Sequence, residues 1–306
     1  MSIKAHVPPQ SHSSKEYELH VPVLLDATLE LLTPQKGESY LDLTAGYGGH
    51  AEAFLEETGN FADSALVDRD EYAIAHLERF AARGVSLLHT DFVSAARELI
   101  AQQKKFDIVV VDLGVSSPQL DQATRGFSFT KPGPLDMRMD RSQTTSAETI
   151  VNTYTVDALE RIIIKYGEEQ RGFARRIATG IVENRPFSDT KQLADMIAHL
   201  HRGKWQKIHP ATRTFQALRI EVNQELAQVE AVLPLLPSLL HQNGRVGVIS
   251  FHSLEDRLVK QFFKEQAQAG FEAELSLLNK KPLDGATYDV HNPRARSAKL
   301  RAAVKK

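Results

Sequence analysis

Apolar and polar positions along the chain switch between two periods, and the switching predicts its elements. Leu24-Leu-Asp-Ala-Thr-Leu-Glu-Leu-Leu32 repeats at helical spacing and ends before Pro34 and Gly37. Short apolar runs then predict strands at 40–43, 64–68, 85–89 and 106–112, and helix-period segments predict helices at 50–57, 71–80 and 93–103. Phe106-Asp-Ile-Val-Val-Val-Asp112 is almost continuously apolar, as expected of a parallel strand covered on both faces. This alternation predicts an α/β fold with a mainly parallel, Rossmann-like sheet.

The pattern breaks after residue 120. Residues 121–142 read as a long loop that carries Arg125, Phe127, Phe129, Asp136, Arg138 and Asp140. A loop of that length with aromatics in it is expected to be functional. Helical periods alone follow, at 156–166, 168–184 and 189–201, and a long helix is predicted over 212–233, closed by Pro234 and Pro237. Strand spacing resumes at 245–251. A capping-box-like Ser253-Leu-Glu-Asp256 opens a helix to residue 268, and a last strand is expected within 272–278. The implied organisation is a flexible tail (1–18), a discontinuous core (19–115 and 213–306) and an inserted loop and all-α domain (116–212).

Composition narrows the setting. The chain has 306 residues, 42% hydrophobic and 25% charged, a globular balance. It contains no cysteine, which removes disulfides, thiolate metal sites and a cysteine nucleophile. No apolar run reaches membrane-spanning length and residues 1–16 lack a signal core, so a cytoplasmic protein with no membrane partner is expected. With a net charge of −2, any nucleic-acid contact must come from local basic patches.

The candidate chemistry centres on Ser39-Tyr-Leu-Asp-Leu-Thr-Ala-Gly-Tyr-Gly-Gly-His50, a strand, a glycine turn and a helix start. Gly46, Gly48 and Gly49 allow a sharp turn and a close approach to a ligand. Gly46-x-Gly48-x-x-Ala51 fits a dinucleotide fingerprint. Asp42, just before the turn, would repel a pyrophosphate and attract an ammonium or sulfonium, and S-adenosylmethionine carries both. A plain turn with an acid beside it is the simpler alternative.

Two further predicted strands end in acids. Asp68 lies where such folds hold ribose hydroxyls, with Asp70 as a helix cap. Asp112 points to the same crevice, at the carboxyl ends of the strands. Phe92 follows the third strand, where an adenine could pack; a core phenylalanine fits the position as well.

Arg202, Lys204, Lys207, Arg213 and Arg219 run without an intervening acid, interleaved with Trp205 and Phe215. Charge mixed with π-faces suits single-stranded nucleic acid, and a solvated basic face is the alternative. Arg138 is a further candidate for RNA or the site rim. His252, after the strand at 245–251, could hold a flipped base or be a structural histidine. No metal site is expected: Asp136, Arg138 and Asp140 read better as ion pairs than as a metal loop. The basic segment from Lys280 reads as a tail, solvated or touching phosphate.

Several long motifs carry a resemblance. They are Asp42–His50, Val67–Asp70, Asp112–Asp121, Arg125–Phe129, Gly133–Asp140, His209–Gln216, Ser250–Arg257 and Asn292–Ser297. The chain resembles the bacterial small-subunit (16S) ribosomal RNA cytosine-N4 methyltransferases, the RsmH or MraW family, from about His20 to the C-terminal segment. Residues 166–173 are looser than the family pattern. The resemblance implies a class I methyltransferase core with an inserted helical domain and S-adenosylmethionine as methyl donor. It also implies a cytosine in the decoding centre (P site) of 16S rRNA, within the small ribosomal subunit, as acceptor. It assigns Gly48, Gly49, His50, Asp68, Phe92, Asp112 and Gln119 to the cofactor.

Cytosine N4 is a weak nucleophile, because its lone pair is delocalised into the ring. An acceptor that hydrogen-bonds the amino group would localise it. Asp112, or the turn Ser116-Ser117-Pro118, stands where amino-methyltransferases carry such a group. Service to the cofactor alone is the alternative for Asp112. Without cysteine, the usual route to cytosine C5 is closed. Another RNA or a small-molecule amine as acceptor, an NAD-linked oxidoreductase and a non-enzymatic RNA-binding module are the competing functions. Oligomeric state stays open; a homodimer is compatible with the sequence.

Overall fold

A computed structural model describes residues 22–203 and 208–306. Its strands are β1 (Tyr40–Asp42), β2 (Ala65–Asp68), β3 (Ser86–His89), β4 (Phe106–Asp112), β5 (Leu240–Ser250), β6 (Leu275–Leu277), β7 (Leu283–Asp284) and β8 (Lys299–Lys305). They form one sheet in the order β3-β2-β1-β4-β5-β8-β6, with β7 also on β8. β1 to β5 are parallel, and β8 runs antiparallel to β5, to β6 and to β7. The order reverses between β1 and β4, so a crevice opens at their carboxyl ends.

The helices α1 (Leu25–Leu32), α2 (Gly49–Thr58), α3 (Glu71–Ala81) and α4 (Phe92–Ala101) alternate with the first strands, as the periodicity predicts. α5 (Ser117–Asp121) is a short turn of helix after β4. A helical layer follows: α6 (Ala147–Thr153), α7 (Val156–Gly167), α8 (Arg171–Glu183), α9 (Thr190–Leu200) and α10 (Thr212–Asn223). α11 (Glu225–Val232) and α12 (Ser253–Gln268) return to the sheet, and α13 (Gly285–Tyr288) precedes β8.

The α/β fold is as expected: Val109, Val110 and Leu66, from the middle of the sheet, are fully buried. The helical layer has its own core, which includes Leu135, Ile163 and Ile177 and continues through Phe215, Leu218 and Val222.

The helix predicted over 212–233 is broken. Gln224 takes φ +52°, ending α10 and opening α11, and residues 233–239 form a 3-10 turn through Pro234 and Pro237. The helix predicted over 168–184 begins only at Arg171, because Glu168 takes φ +50° and closes α7.

The largest correction is at the end of the chain. Residues 299–305 are not a solvated tail but β8, between β5 and β6. Arg301 is buried there, donating from Nε to Asp256 at 2.7 Å, and Lys299 donates to the same carboxylate at 3.0 Å. The basic residues that read as a tail are thus partly spent on one acid of α12.

Candidate active site

The sequence folds the glycine turn into a cradle. Gly46 and Gly48 take φ +53° and +84°, and a Cβ on Gly48 would lie 2.5 Å from the Phe80 ring. Gly49 packs against the Pro22 ring. A cavity of about 500 Å³ opens beside this turn, at the ends of β1, β2 and β4. Gly46, Gly49, His50, Asp68, Phe92 and Asp112 are on its wall.

Asp68 accepts from Gly46 N–H and Asp70 N–H, both at 2.8 Å, which ties the turn to the end of β2. Asp112 lies beside His50, with Oδ2 at 3.7 Å from Nε2. Asp112 Oδ1 and both ring nitrogens of His50 are buried with no hydrogen-bond partner. Asp42 sits behind the wall rather than on it. Its carboxylate accepts from the Tyr40 hydroxyl at 2.8 Å and from Thr44 N–H at 3.1 Å. It therefore acts on the cavity through its field and through the shape of the turn.

These groups share one electrostatic feature. Burial pushes the Asp42 carboxyl up to about 7, against the Tyr40 and Thr44 hydrogen bonds. Burial also raises Asp112 well above the carboxylate range, and the charges of Asp42 and Glu255 add to it. Asp68 is raised by burial in spite of its two backbone donors. His50 is pushed down to about 4 by burial. Three desolvated carboxyls around one cavity favour a cationic ligand over an anionic one. With the orphaned Asp112 Oδ1 and the glycine cradle, they fit an adenosyl sulfonium carrying an ammonium, and they do not fit a pyrophosphate.

The turn after β4 is held by a buried network. Gln119 accepts from Ser116 N–H at 3.0 Å and donates to Asp70 at 2.8 Å. Asp70 also caps α3 and takes a 2.7 Å ion pair from Arg125, buried like itself. Arg125 donates onward to the Arg138 and Met139 carbonyls. Asp70 thereby joins β2, the turn after β4 and the 121–142 loop. Gln119, assigned to the cofactor by resemblance, lines the cavity while its amide serves this network. Ser116 and Pro118 are also on the cavity wall, and Ser117 opens α5. A second cavity, of about 490 Å³, adjoins the first and shares Arg69, Thr90 and Met139 with it.

The RNA candidates fall in different places. Arg138 is spent inside its loop, donating to Asp136 from Nε at 2.5 Å and to the Arg141 and Gln143 carbonyls. Arg213 is half-exposed at the start of α10, with Glu169 at 3.3 Å, and Arg202 is exposed after α9. Lys204, Trp205 and Lys207 lie outside the described residues. Phe215 is not a stacking platform: it is core, edge-on to Phe129 with ring centroids 4.7 Å apart.

His252 is not on the cavity wall. It caps α12, with Nε2 at 3.1 Å from Glu255. Glu225, His252 and Glu255 bring three ligand-capable atoms within 4.8 Å of one another. Their charge is already met: Arg219 donates to both oxygens of Glu225 at 2.8 Å, and Glu255 accepts from Phe251 N–H at 2.8 Å.

Among the cavity-wall residues that sequence reasoning did not assign to the site are Arg219 and Phe251. Arg219 read as one member of a basic run; Glu225, six residues on, was the available signal that this arginine is held inward. Phe251 read as the last apolar residue of a strand.

Comparison with known proteins follows the same line. The model of the MraW methylase family matches residues 17–306. The chain is 46% identical over 293 residues to the Ribosomal RNA small subunit methyltransferase H of Synechocystis sp., covering 94% of this chain and 93% of the relative. It is 45% identical to the protein of the same name in Acidobacterium capsulatum, covering 95% and 100%. The corresponding protein of Magnetococcus marinus is 44% identical over 94% and 98%.

Proposed function

The chain belongs to the MraW methylase family, and from that premise we propose that it methylates N4 of a cytosine in the decoding centre of 16S rRNA. Its methyl donor is S-adenosylmethionine. The oxidoreductase alternative falls with the family. The observation that carries the acceptor chemistry is Asp112 Oδ1, a buried acceptor without a partner on a carboxylate that faces the cavity.

When bound, S-adenosylmethionine supplies a methyl group activated by a sulfonium. Asp68 holds ribose hydroxyls at the end of β2, and Phe92 packs against the adenine. Gly46, Gly48 and Gly49 keep the turn free of side chains, and Asp42 fixes its shape from behind. Asp112 accepts a hydrogen bond from the cytosine amino group, which localises the N4 lone pair and aims it. After transfer N4 must lose a proton. Asp112 takes it, since burial raises its carboxyl and so its basicity above that of an ordinary carboxylate. Ser116 and Pro118 shape the acceptor side of the cavity.

The inserted loop and helices, 116–212, present the exposed Arg202 toward RNA, and the half-exposed Arg213 follows at the start of α10; Lys204, Trp205 and Lys207 are the further candidates of that sequence run. The small ribosomal subunit is the substrate and the cytoplasm the place of action. The test is to incubate the protein with labelled S-adenosylmethionine and small subunits from cells lacking the enzyme, and to map the modified base by mass spectrometry. N4-methylcytosine at one decoding-centre position is expected; its absence refutes the proposal.

A further inference from the structure

We propose that Arg219 reads the acceptor base, donating from its free edge to the O2/N3 side of cytosine, with Phe251 as the face on which the base stacks. This rests on the cytosine reading above and adds the residues that select the base. Arg219 and Phe251 share one cavity wall with Asp112, Gly114 and Ser116. Arg219 uses Nε and Nη2 on Glu225, both at 2.8 Å, and leaves Nη1, which bonds no described residue. Glu225 is buried, so the guanidinium is anchored from the protein side, while Arg219 itself lines the cavity.

The charge balance points to a base rather than a phosphate. A guanidinium neutralised by its own carboxylate keeps its donor geometry and loses much of its pull on an anion. Phe251 is tied to the same unit: its N–H donates to Glu255 at 2.8 Å, and Glu255 lies close enough to raise Arg219 further. Its ring covers Gly114, with Cδ2 at 3.6 Å from where a Cβ would stand. The turn after β4, Asp112-Leu-Gly-Val-Ser116, has no aromatic of its own. An unpaired base is commonly held on such a face. The selection follows from complementarity. Cytosine offers two acceptors, O2 and N3, and one donor, N4, to a site with one donor, Arg219, and one acceptor, Asp112. Uracil presents N3–H toward the arginine and O4 toward the carboxylate, and mismatches both.

The test uses small subunits reconstituted with rRNA carrying either cytidine or 3-deazacytidine at the target. The second keeps the amino group and lacks the N3 acceptor. With adenosylhomocysteine present, so that no reaction occurs, wild type should bind the 3-deazacytidine subunit about tenfold more weakly, the loss of one charge-assisted hydrogen bond. Arg219→Gln should bind both subunits equally, at about the wild-type affinity for the 3-deazacytidine form, and keep its adenosylhomocysteine affinity. An unchanged tenfold ratio in Arg219→Gln overturns the proposal, and so does equal binding by wild type. If Arg219→Gln does not fold, as adenosylhomocysteine binding would reveal, the wild-type ratio alone decides. Phe251→Leu should weaken both subunits about tenfold with the ratio kept; no weakening removes the stacking role. The cytosine reading fails separately, by the product of wild type: no N4-methylcytosine sinks that reading, whereas N4-methylcytosine with no N3 dependence sinks only the present one.

Discussion

A single residue illustrates how this site is prepared for a cation. Asp42 is buried, and its carboxyl is pushed up to about 7 because burial outweighs two hydrogen bonds. Asp112 is raised in the same direction. A positively charged ligand favours the ionised form of both, and Asp42, near 7, then releases a proton on binding near neutrality. S-adenosylmethionine should therefore bind more tightly as pH rises from 6 to 8, with proton release visible by calorimetry in buffers of different ionisation enthalpy. Adenosylhomocysteine, without the sulfonium charge, should give the shallower dependence; equal slopes would remove the electrostatic role of these acids. Stability follows the opposite sign. The folded state holds the Asp42 proton up to about 7, so that contribution is present below the ordinary value of 3.8 and is lost as pH rises through 7. His50, lowered from 6.5 to about 4, contributes stability above 6.5 that is lost as pH falls through 4. The two offset each other between about 4 and 6.5. Asp42→Asn should leave the His50 slope less opposed and raise stability at pH 8 by up to about 4 kcal/mol, read from urea midpoints. Asp112→Asn should lower methylation at least about a hundredfold, since the acceptor and the base are lost together. Adenosylhomocysteine affinity should change little; a parallel loss of that affinity would return Asp112 to a cofactor role.

Elements made of regular periods were legible, and contacts between elements were not. β1 to β5 and the helices after them follow from the alternation, because each buries one face or both. The acids that end β1, β2 and β4 were legible too, since a charge at the end of an apolar run is visible in one dimension. What the alternation could not carry was which acid faces the cavity and which lies behind it: Asp42 and Asp112 end their strands alike, yet only Asp112 is on the wall. Nor could it pair Asp70 with Arg125, 55 positions away along the chain. That pair is the joint between sheet and insert, both side chains 2% exposed. Removing one partner leaves a buried charge, so Arg125→Met should cost about 3–5 kcal/mol. Adding Asp70→Asn should return part of it, by urea unfolding of the single and double variants. At the glycine turn, Gly48→Ala should cost about 2 kcal/mol, from strain at positive φ and crowding of Phe80. It should also weaken cofactor binding, because the cradle must move to accept the methyl group.

The order of the sheet decides what the end of the chain does for the whole molecule. β8 carries Lys299, Arg301 and Lys305, and this charge made residues 299–305 read as a tail. In the fold the same residues lie between β5 and β6, with Leu300, Ala302 and Ala303 buried and the cations drawn off to Asp256 and Glu274. Only the burial of Leu300, Ala302 and Ala303 distinguishes it, and three short apolar positions are too few to announce a strand. Its loss would do more than shorten the chain. β5 would become an edge strand, opening its backbone groups to water, and β6 and β7 would lose their only strand partner among the described residues. Asp256 would be left on α12 without the two cations that hold its carboxyl below the ordinary range. β5 ends beside Phe251 and the Glu255–Arg219 network, so the damage would reach the acceptor side of the cavity. Deletion of residues 299–306 should therefore abolish the cooperative unfolding transition seen by circular dichroism, and adenosylhomocysteine binding with it. Arg301→Leu, which strands Asp256 but keeps the strand, should retain the transition at a cost of about 2–4 kcal/mol. A truncated protein that still unfolds cooperatively and binds adenosylhomocysteine would mean that β8 is an addition to the sheet rather than part of its frame.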